Sequence, residues 1–286
     1  MKSELVAYVN GSFVPLADAK VHIEDRGFQF ADGVYEVIAC FSGHFLDLDA
    51  HLQRLQRSCD AIELAMPKSQ QELQMLARQI YEKNPFKDAM IYIQITRGVA
   101  ARSHVVQQQL TPTLVMTSRA LPQPSDDKLS QGMKAITRQD IRWKHCEIKS
   151  IALLASVMGK QEAAKHGVDE TFWKDEQGHI LEGCATNAFA VINHVVVTHP
   201  LDHQVLGGIT REMVLEAARA LGFAVEEREW KLDEQGLSEC MMSSTTNAVM
   251  PVCEIDGQAI GGGKPGEVCL QLRGAILTRL QRLRDS

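Results

Sequence analysis

The sequence has little that would commit it to a membrane, a nucleic acid or an oxidising compartment. Its longest apolar run, residues 151–159, is under half of the roughly 20 residues a spanning helix needs. Residues 1–13 show no basic region followed by an apolar stretch, so no secretory leader is expected and a cytoplasmic location is. Basic residues do not prevail: 36 acidic against 30 basic side chains give a net charge of -6. That balance speaks against a nucleic acid or an anionic membrane as partner, since both call for a basic face. The seven cysteines (Cys40, Cys59, Cys146, Cys184, Cys240, Cys253 and Cys269) are odd in number and contain no CxxC pair. Free thiols are expected, neither a disulfide framework nor a zinc site.

Familiar signatures are missing too. Gly261-Gly-Gly-Lys264-Pro265 lacks the first glycine of a phosphate loop and has proline where Ser or Thr should follow the lysine. His199 and His203 are four apart, but Pro200 lies between them, so no helical metal pair and no metal are expected. There is no G-x-S-x-G elbow, no internal repeat and no low-complexity segment.

What is present suits a folded α+β protein. The 286 residues are 45% hydrophobic, enough for one large core or two moderate ones. Asn10-Gly11 predicts a tight hairpin between strands 7–9 and 12–14. Residues 35–41 and 45–46 read as a second strand pair, and 90–96 and 113–118 as further strands. Helices are expected over 50–62, capped by Asp49, and over 70–82, 151–166, 211–221 and 267–283. In the second half, strands are expected over 133–138, 171–173, 180–181, 188–192 and 195–198, with a late hairpin over 254–260. The proline-bearing stretch 121–127 is the candidate linker between a small domain, 1–120, and a larger one, 128–286, holding Lys149.

Several polar residues invite chemistry. Lys149 enters the apolar run at 151, and a lysine against such a wall is partly desolvated, which favours a nucleophilic neutral amine. On this context alone it also reads as a solvated lysine capping a strand. Glu182, after the turn at Gly178, is either a surface carboxylate or a partner for a protonated ring nitrogen. Gly207-Gly208-Ile209-Thr210 precedes a helix, where exposed amides and a hydroxyl suit a phosphate, although Thr210 is equally an ordinary N-cap. The run 243–247, with Ser244 and Thr245, adds hydroxyls, and Arg54 could add a bidentate guanidinium.

Taken in order, these segments resemble the fold-type IV pyridoxal-phosphate enzymes, the family of D-amino-acid and branched-chain transaminases. The resemblance covers nearly the whole chain. It rests on Phe30-Ala-Asp-Gly-Val-Tyr35-Glu36, His51-Leu-x-Arg54-Leu, Ile148-Lys149-Ser150, Glu182-Gly183, Gly208-Ile209-Thr210-Arg211 and Ser244-Thr245-Thr246. It implies a two-domain α+β fold, pyridoxal 5'-phosphate as cofactor and a homodimer. Lys149 would hold the cofactor as a Schiff base and Glu182 would pair with the pyridine nitrogen. Arg54, Ile209, Thr210, Ser244 and Thr245 would hold the phosphate, and Leu206 would pack on the ring. The stretch from Thr96 to His104 is similar to that of D-amino-acid transaminases, in which an Arg-x-His pair, here Arg102 and His104, joins Tyr35 to bind the substrate carboxylate across a subunit boundary. The implied reaction moves an amino group from a D-amino acid, such as D-alanine, to a 2-oxo acid such as 2-oxoglutarate or pyruvate. A branched-chain L-amino-acid transaminase and an aminodeoxychorismate-type lyase are the alternatives on this fold. Cys184 and Ala185 depart from the small hydroxyl residues expected there, which puts the surroundings of the ring nitrogen in question.

Overall fold

Local turn chemistry starts the fold. Asn10 and Gly11 take φ of 45° and 101° and join β1 (Val6–Val9) to β2 (Ser12–Pro15). Ser42 and Gly43 do the same between β3 (Gly33–Phe41) and β4 (His44–Phe45). The computed structural model describes residues 4–106 and 109–285, which fall into two compact units.

Of the described residues, the first unit comprises 4–106, 109–121, 148–152 and 282–285. Its antiparallel sheet runs β2-β1-β6-β5-β3-β4, with β5 at Asp88–Thr96 and β6 at Thr113–Ala120. A short α1 (Arg26–Phe30), not foreseen, is capped by Asp25, which accepts from the Gly27 amide at 2.8 Å. Two amphipathic helices, α2 (Leu48–Ala61) and α3 (Gln70–Glu82), cover the sheet. Leu52, Leu55, Leu73 and Ile80 pack on Val34, Ile38, Ile91 and Ile93. Helix α3 begins with a capping box between Ser69 and Glu72. Helix α2 is not capped by Asp49: Asp47 holds the N-cap position at φ 47°, and Asp49 in the first turn accepts from Gln74 instead.

The segment 148–152 belongs to this sheet. The Tyr35 amide donates to Lys149 O at 3.0 Å and the Ile151 amide to Gly33 O at 3.1 Å, so the segment lines the edge of β3. This is why the expected helix over 151–166 starts late, as α5 (Leu154–Lys165): the backbone at 149–151 is held against β3 as a bridge at Ser150. It also brings Lys149, expected within the larger C-terminal domain, into the first unit.

The second unit holds residues 122–147 and 153–281. Its strands are β7 (Met133–Gln139), β8 (Glu170–Lys174), β9 (Ile180–Gly183), β10 (Asn187–Ile192), β11 (Val195–Thr198), β12 (Ala224–Glu227), β13 (Leu237–Ser244), β14 (Ala248–Ile255) and β15 (Gln258–Ala259). β10-β13-β14-β7-β8-β9 closes into a barrel because β9 pairs with β8 on one side and, through Glu182 and Asn187, with β10 on the other. β11 and β12 extend outward from β10. Phe172, Ala188, Ala190, Met242, Met250 and Val252 form its core. Helices α5, α6 (Ile209–Ala220) and α7 (Glu267–Arg284) belong to this unit up to residue 281. The proline-bearing stretch is partly helical: Ser125 caps α4 (Asp126–Gln131).

Candidate active site

In the first unit, strand alternation puts Val34, Glu36 and Ile38 on the face of β3 that meets the helices. A carboxylate there is buried, with no exposure, and needs partners. Helix α2 provides them at i and i+3. Arg54 clasps Glu36 through Nε at 2.6 Å and Nη2 at 2.8 Å, and His51 Nδ1 donates at 2.8 Å. Burial alone would raise the Glu36 carboxyl, but the Arg54 bonds and charge, with those of His51, outweigh it and hold the group down at about 2. His51 is pushed down, by burial first and then by the charges of Arg54 and Lys149 against the pull of Glu36.

Lys149 is half-buried beside this cluster. Its amide donates to Ser58 Oγ at 3.2 Å, tying it to α2. Its Nζ donates to the Tyr35 phenol at 3.4 Å and lies 4.4 Å from the ring centroid. Tyr35 in turn packs on Tyr92, whose phenol is pushed up to about 12 by burial. Arg54 and Lys149 thus bring two positive groups to a single buried carboxylate, a setting that suits a further anion such as phosphate.

Arg102 and His104 sit elsewhere in this unit. The Arg102 guanidinium lies 4.6 Å over the Phe30 ring, and the His104 ring is 5.3 Å from it. Both side chains are exposed. Arg26 anchors their loop by donating to the Ser103 and His104 carbonyls. Tyr35 is brought to Lys149, and the pair Arg102 and His104 to Phe30; among the described contacts none joins the two sets.

In the second unit, the barrel closure positions Glu182. Asn187 Nδ2 donates to Glu182 Oε2 at 3.0 Å and to Leu206 O at 2.8 Å, and the Leu206 amide donates to the same carboxylate oxygen at 3.0 Å. Arg142 donates to Oε1. Asn187 also adjoins the start of α6: a Cβ on Gly208 would stand 2.0 Å from Asn187 Oδ1, so a larger residue there would have to displace the Asn187 side chain. Gly208 offers α6 no side-chain cap, and the first-turn amides of Ile209 and Thr210 have no intrahelical acceptor. In the β10–β13 ladder Asn187 faces Ser243; Ser244 ends β13 and Thr245 opens the turn, where Ser244 Oγ meets Thr246 Oγ1 at 3.3 Å. One asparagine therefore links a buried carboxylate, an uncapped helix N-terminus and a hydroxyl-bearing turn.

Each unit taken by itself carries groups of the kind pyridoxal phosphate takes: an amine and a guanidinium in the first, and a carboxylate, helix-start amides and hydroxyls in the second. No group of three His, Cys, Asp or Glu side chains among the described residues is placed to hold a metal ion. The Cys184 amide donates to Glu170 at 3.3 Å. The Cys184 thiol reaches Thr171 O at 3.7 Å, and burial pushes it up to about 12. Glu36, His51, Arg142 and Asn187 carried no assigned role in the sequence. The first two were legible within the Phe30–Glu36 and His51–Leu55 segments; Arg142 and Asn187 left no local signal.

Comparison with known proteins agrees with this chemistry. The family model for amino-transferase class IV matches residues 33–255. D-alanine aminotransferase of Bacillus licheniformis is 37% identical over 268 residues, covering 93% of this chain and 94% of that protein. The enzyme of the same name from Listeria monocytogenes is 34% identical, covering 96% of each. Among solved structures, the branched-chain amino acid aminotransferase of Escherichia coli superposes with a TM-score of 0.89 at 26% identity, covering 96% of this chain and 94% of that one. The T.th. branched-chain amino acid aminotransferase with pyridoxamine 5'-phosphate gives 0.88 at 25% identity, covering 97% and 94%. The chain belongs to the class IV aminotransferases. It is a pyridoxal-phosphate-dependent enzyme of fold type IV, with two α+β units, and it transfers amino groups.

Proposed function

We propose that the enzyme transfers the amino group of a D-amino acid, such as D-alanine, to 2-oxoglutarate or pyruvate. The observation that carries this reading is the Arg102–His104 pair. Both side chains rest on Phe30, so a guanidinium and an imidazole are held together as a ready carboxylate binder. The relatives named D-alanine aminotransferase point the same way.

Bound pyridoxal phosphate supplies the electron sink that stabilises the pair left when a substrate Cα proton departs. Lys149 would hold the cofactor through its aldehyde, and the free Lys149 amine is the group placed to take the substrate Cα proton and return it, as a general base and acid. Tyr35 steadies that amine. Glu182 would hold the pyridine nitrogen, and Leu206, whose amide donates to Glu182, would pack on the ring. Arg54, oriented by its two bonds to Glu36, lends its charge to the phosphate. The Ile209 and Thr210 amides and the Thr210, Ser244 and Thr245 hydroxyls complete that grip. Arg102, His104 and Tyr35 fix the substrate carboxylate, and this orientation selects which face of Cα meets Lys149.

The reading includes a homodimer in which Arg102 and His104 serve the neighbouring site. Large exposed apolar side chains support it: Ile23 and Phe28 in the first unit and Leu154, Val157 and Met158 in the second. Light scattering at twice the chain mass is expected. We place the enzyme in the cytoplasm because all seven cysteines are free. Among the described residues no helix is long and apolar enough to cross a membrane.

An amino-donor panel tests the specificity. D-alanine turnover with 2-oxoglutarate or pyruvate is expected. Turnover confined to L-leucine, L-isoleucine and L-valine would instead favour the branched-chain reading that the solved structures suggest.

A further inference from the structure

Arg142, in the loop after β7, is held by two carboxylates at once. Asp140 accepts from its backbone amide at 2.9 Å, from Nε at 3.0 Å and from Nη2 at 2.9 Å. Nη1 turns the other way, to Glu182. Nη2 also donates to Gln204 O at 3.0 Å, which ties the guanidinium to the segment bearing Leu206. The three side chains are largely buried, at 10% exposure for Arg142, 17% for Asp140 and 7% for Glu182. In such surroundings the net charge of a cluster decides which further charge it admits.

Two carboxylates and one guanidinium leave the cluster with a single net negative charge. We propose that Asp140 and Arg142 are positioning residues that set this charge, so that a protonated pyridine nitrogen at Glu182 completes a neutral set. The inference rests on the assignment of Glu182 to that nitrogen. Arg142 supplies geometry by fixing Oε1, while Asn187 and Leu206 fix Oε2. Asp140 supplies the counter-charge: without it, Arg142 alone would neutralise Glu182 and a pyridinium would arrive as an unbalanced buried cation. Burial by itself would weaken the hold of Arg142 on its proton, but Glu182 and Asp140 raise it, so the guanidinium stays charged. Other groups near the cluster do not upset the count. The Cys146 thiol is pushed up to about 12 by burial and is neutral, and Glu147 is an exposed carboxylate 3.1 Å from His145.

The sign of the response separates this role from a merely structural one. Wild type, Asp140→Asn, Arg142→Met, Arg142→Lys and the Asp140→Asn/Arg142→Met pair are loaded with pyridoxal phosphate isotope-labelled at the ring nitrogen. Nitrogen NMR then follows protonation of that atom against pH. Asp140→Asn should lower the titration midpoint by about 1 unit, the low end of the range for a nearby charge because Arg142 lies between Asp140 and Glu182, and Arg142→Met should raise it. The double variant should return close to wild type, because Glu182 alone then balances the pyridinium. Arg142→Lys, which keeps the charge, should stay near wild type and guards against misfolding of the methionine variant. Singles that shift in the same direction, or not at all, overturn the proposal. If wild type retains no cofactor, the assignment of Glu182 falls and the proposal with it; if it retains cofactor but the midpoints do not move, only the proposal falls.

Discussion

Glu36→Gln keeps the shape of a fully buried side chain and removes its charge. Arg54 loses the acceptor for two short charge-assisted bonds, and His51 loses its carboxylate. The carboxyl lies at about 2 rather than the ordinary 4.5, and a drop of about 2.5 units at ~1.4 kcal/mol each gives roughly 3 kcal/mol of stability. Breaking a buried ion pair from one side costs about 3–5 kcal/mol, so two independent routes reach the same scale. The sign follows from the depressed value. The contribution is complete above the unfolded carboxyl's 4.5 and is lost as pH falls through about 2. Urea unfolding of wild type and variant across pH reads the difference. It should be roughly 3 kcal/mol at neutral pH, shrink in acid and vanish near the folded value. A neutral-pH difference below about 1 kcal/mol, the scale of an exposed pair, would refute the reasoning. A difference of any size that did not change with pH would refute it as well.

Lys149→Ala should abolish transamination and the visible absorption of lysine-bound cofactor while leaving the fold intact; near-normal turnover would sink the assignment. Arg102→Ala and His104→Ala should each raise KM for D-alanine by about tenfold or more, the worth of a charge-assisted bond of ~1.5–3 kcal/mol. Unchanged turnover of both enantiomers would remove the carboxylate role. Gly208→Ala would drive a methyl group against Asn187 Oδ1, 2.0 Å away, so cofactor should dissociate faster on dialysis; wild-type retention would show that the start of α6 can yield.

Much of the architecture was legible where it is local. Asn10-Gly11 specifies its turn by the sign of φ, and Ser69 with Glu72 specifies the start of α3. Asp49 misled because Asp47 already occupies the cap in a left-handed conformation. The apolar run from residue 151 looked helical throughout, yet its first residues are taken by distant β3. The barrel closure at Glu182 and Asn187, and the presence of Arg142 beside them, depend on long-range pairing that no local window contains. Lys149, Glu182, Tyr35 and Arg54 were visible as residues, but the partner that clasps Arg54 emerged only once α2 lay across β3.

The docking of residues 148–152 on β3 bears on how the chain reaches its native state. Until that late segment arrives, Gly33 O and the Tyr35 amide stand open on a sheet edge, which is a template for another molecule. Synthesis delivers β3 long before its cover, so the nascent protein passes through a stage at risk of association. The stretch carrying Lys149 therefore doubles as a safeguard against aggregation. Shortening or stiffening the chain before Ile148 should lower the yield of soluble protein even where every group around the cofactor is kept.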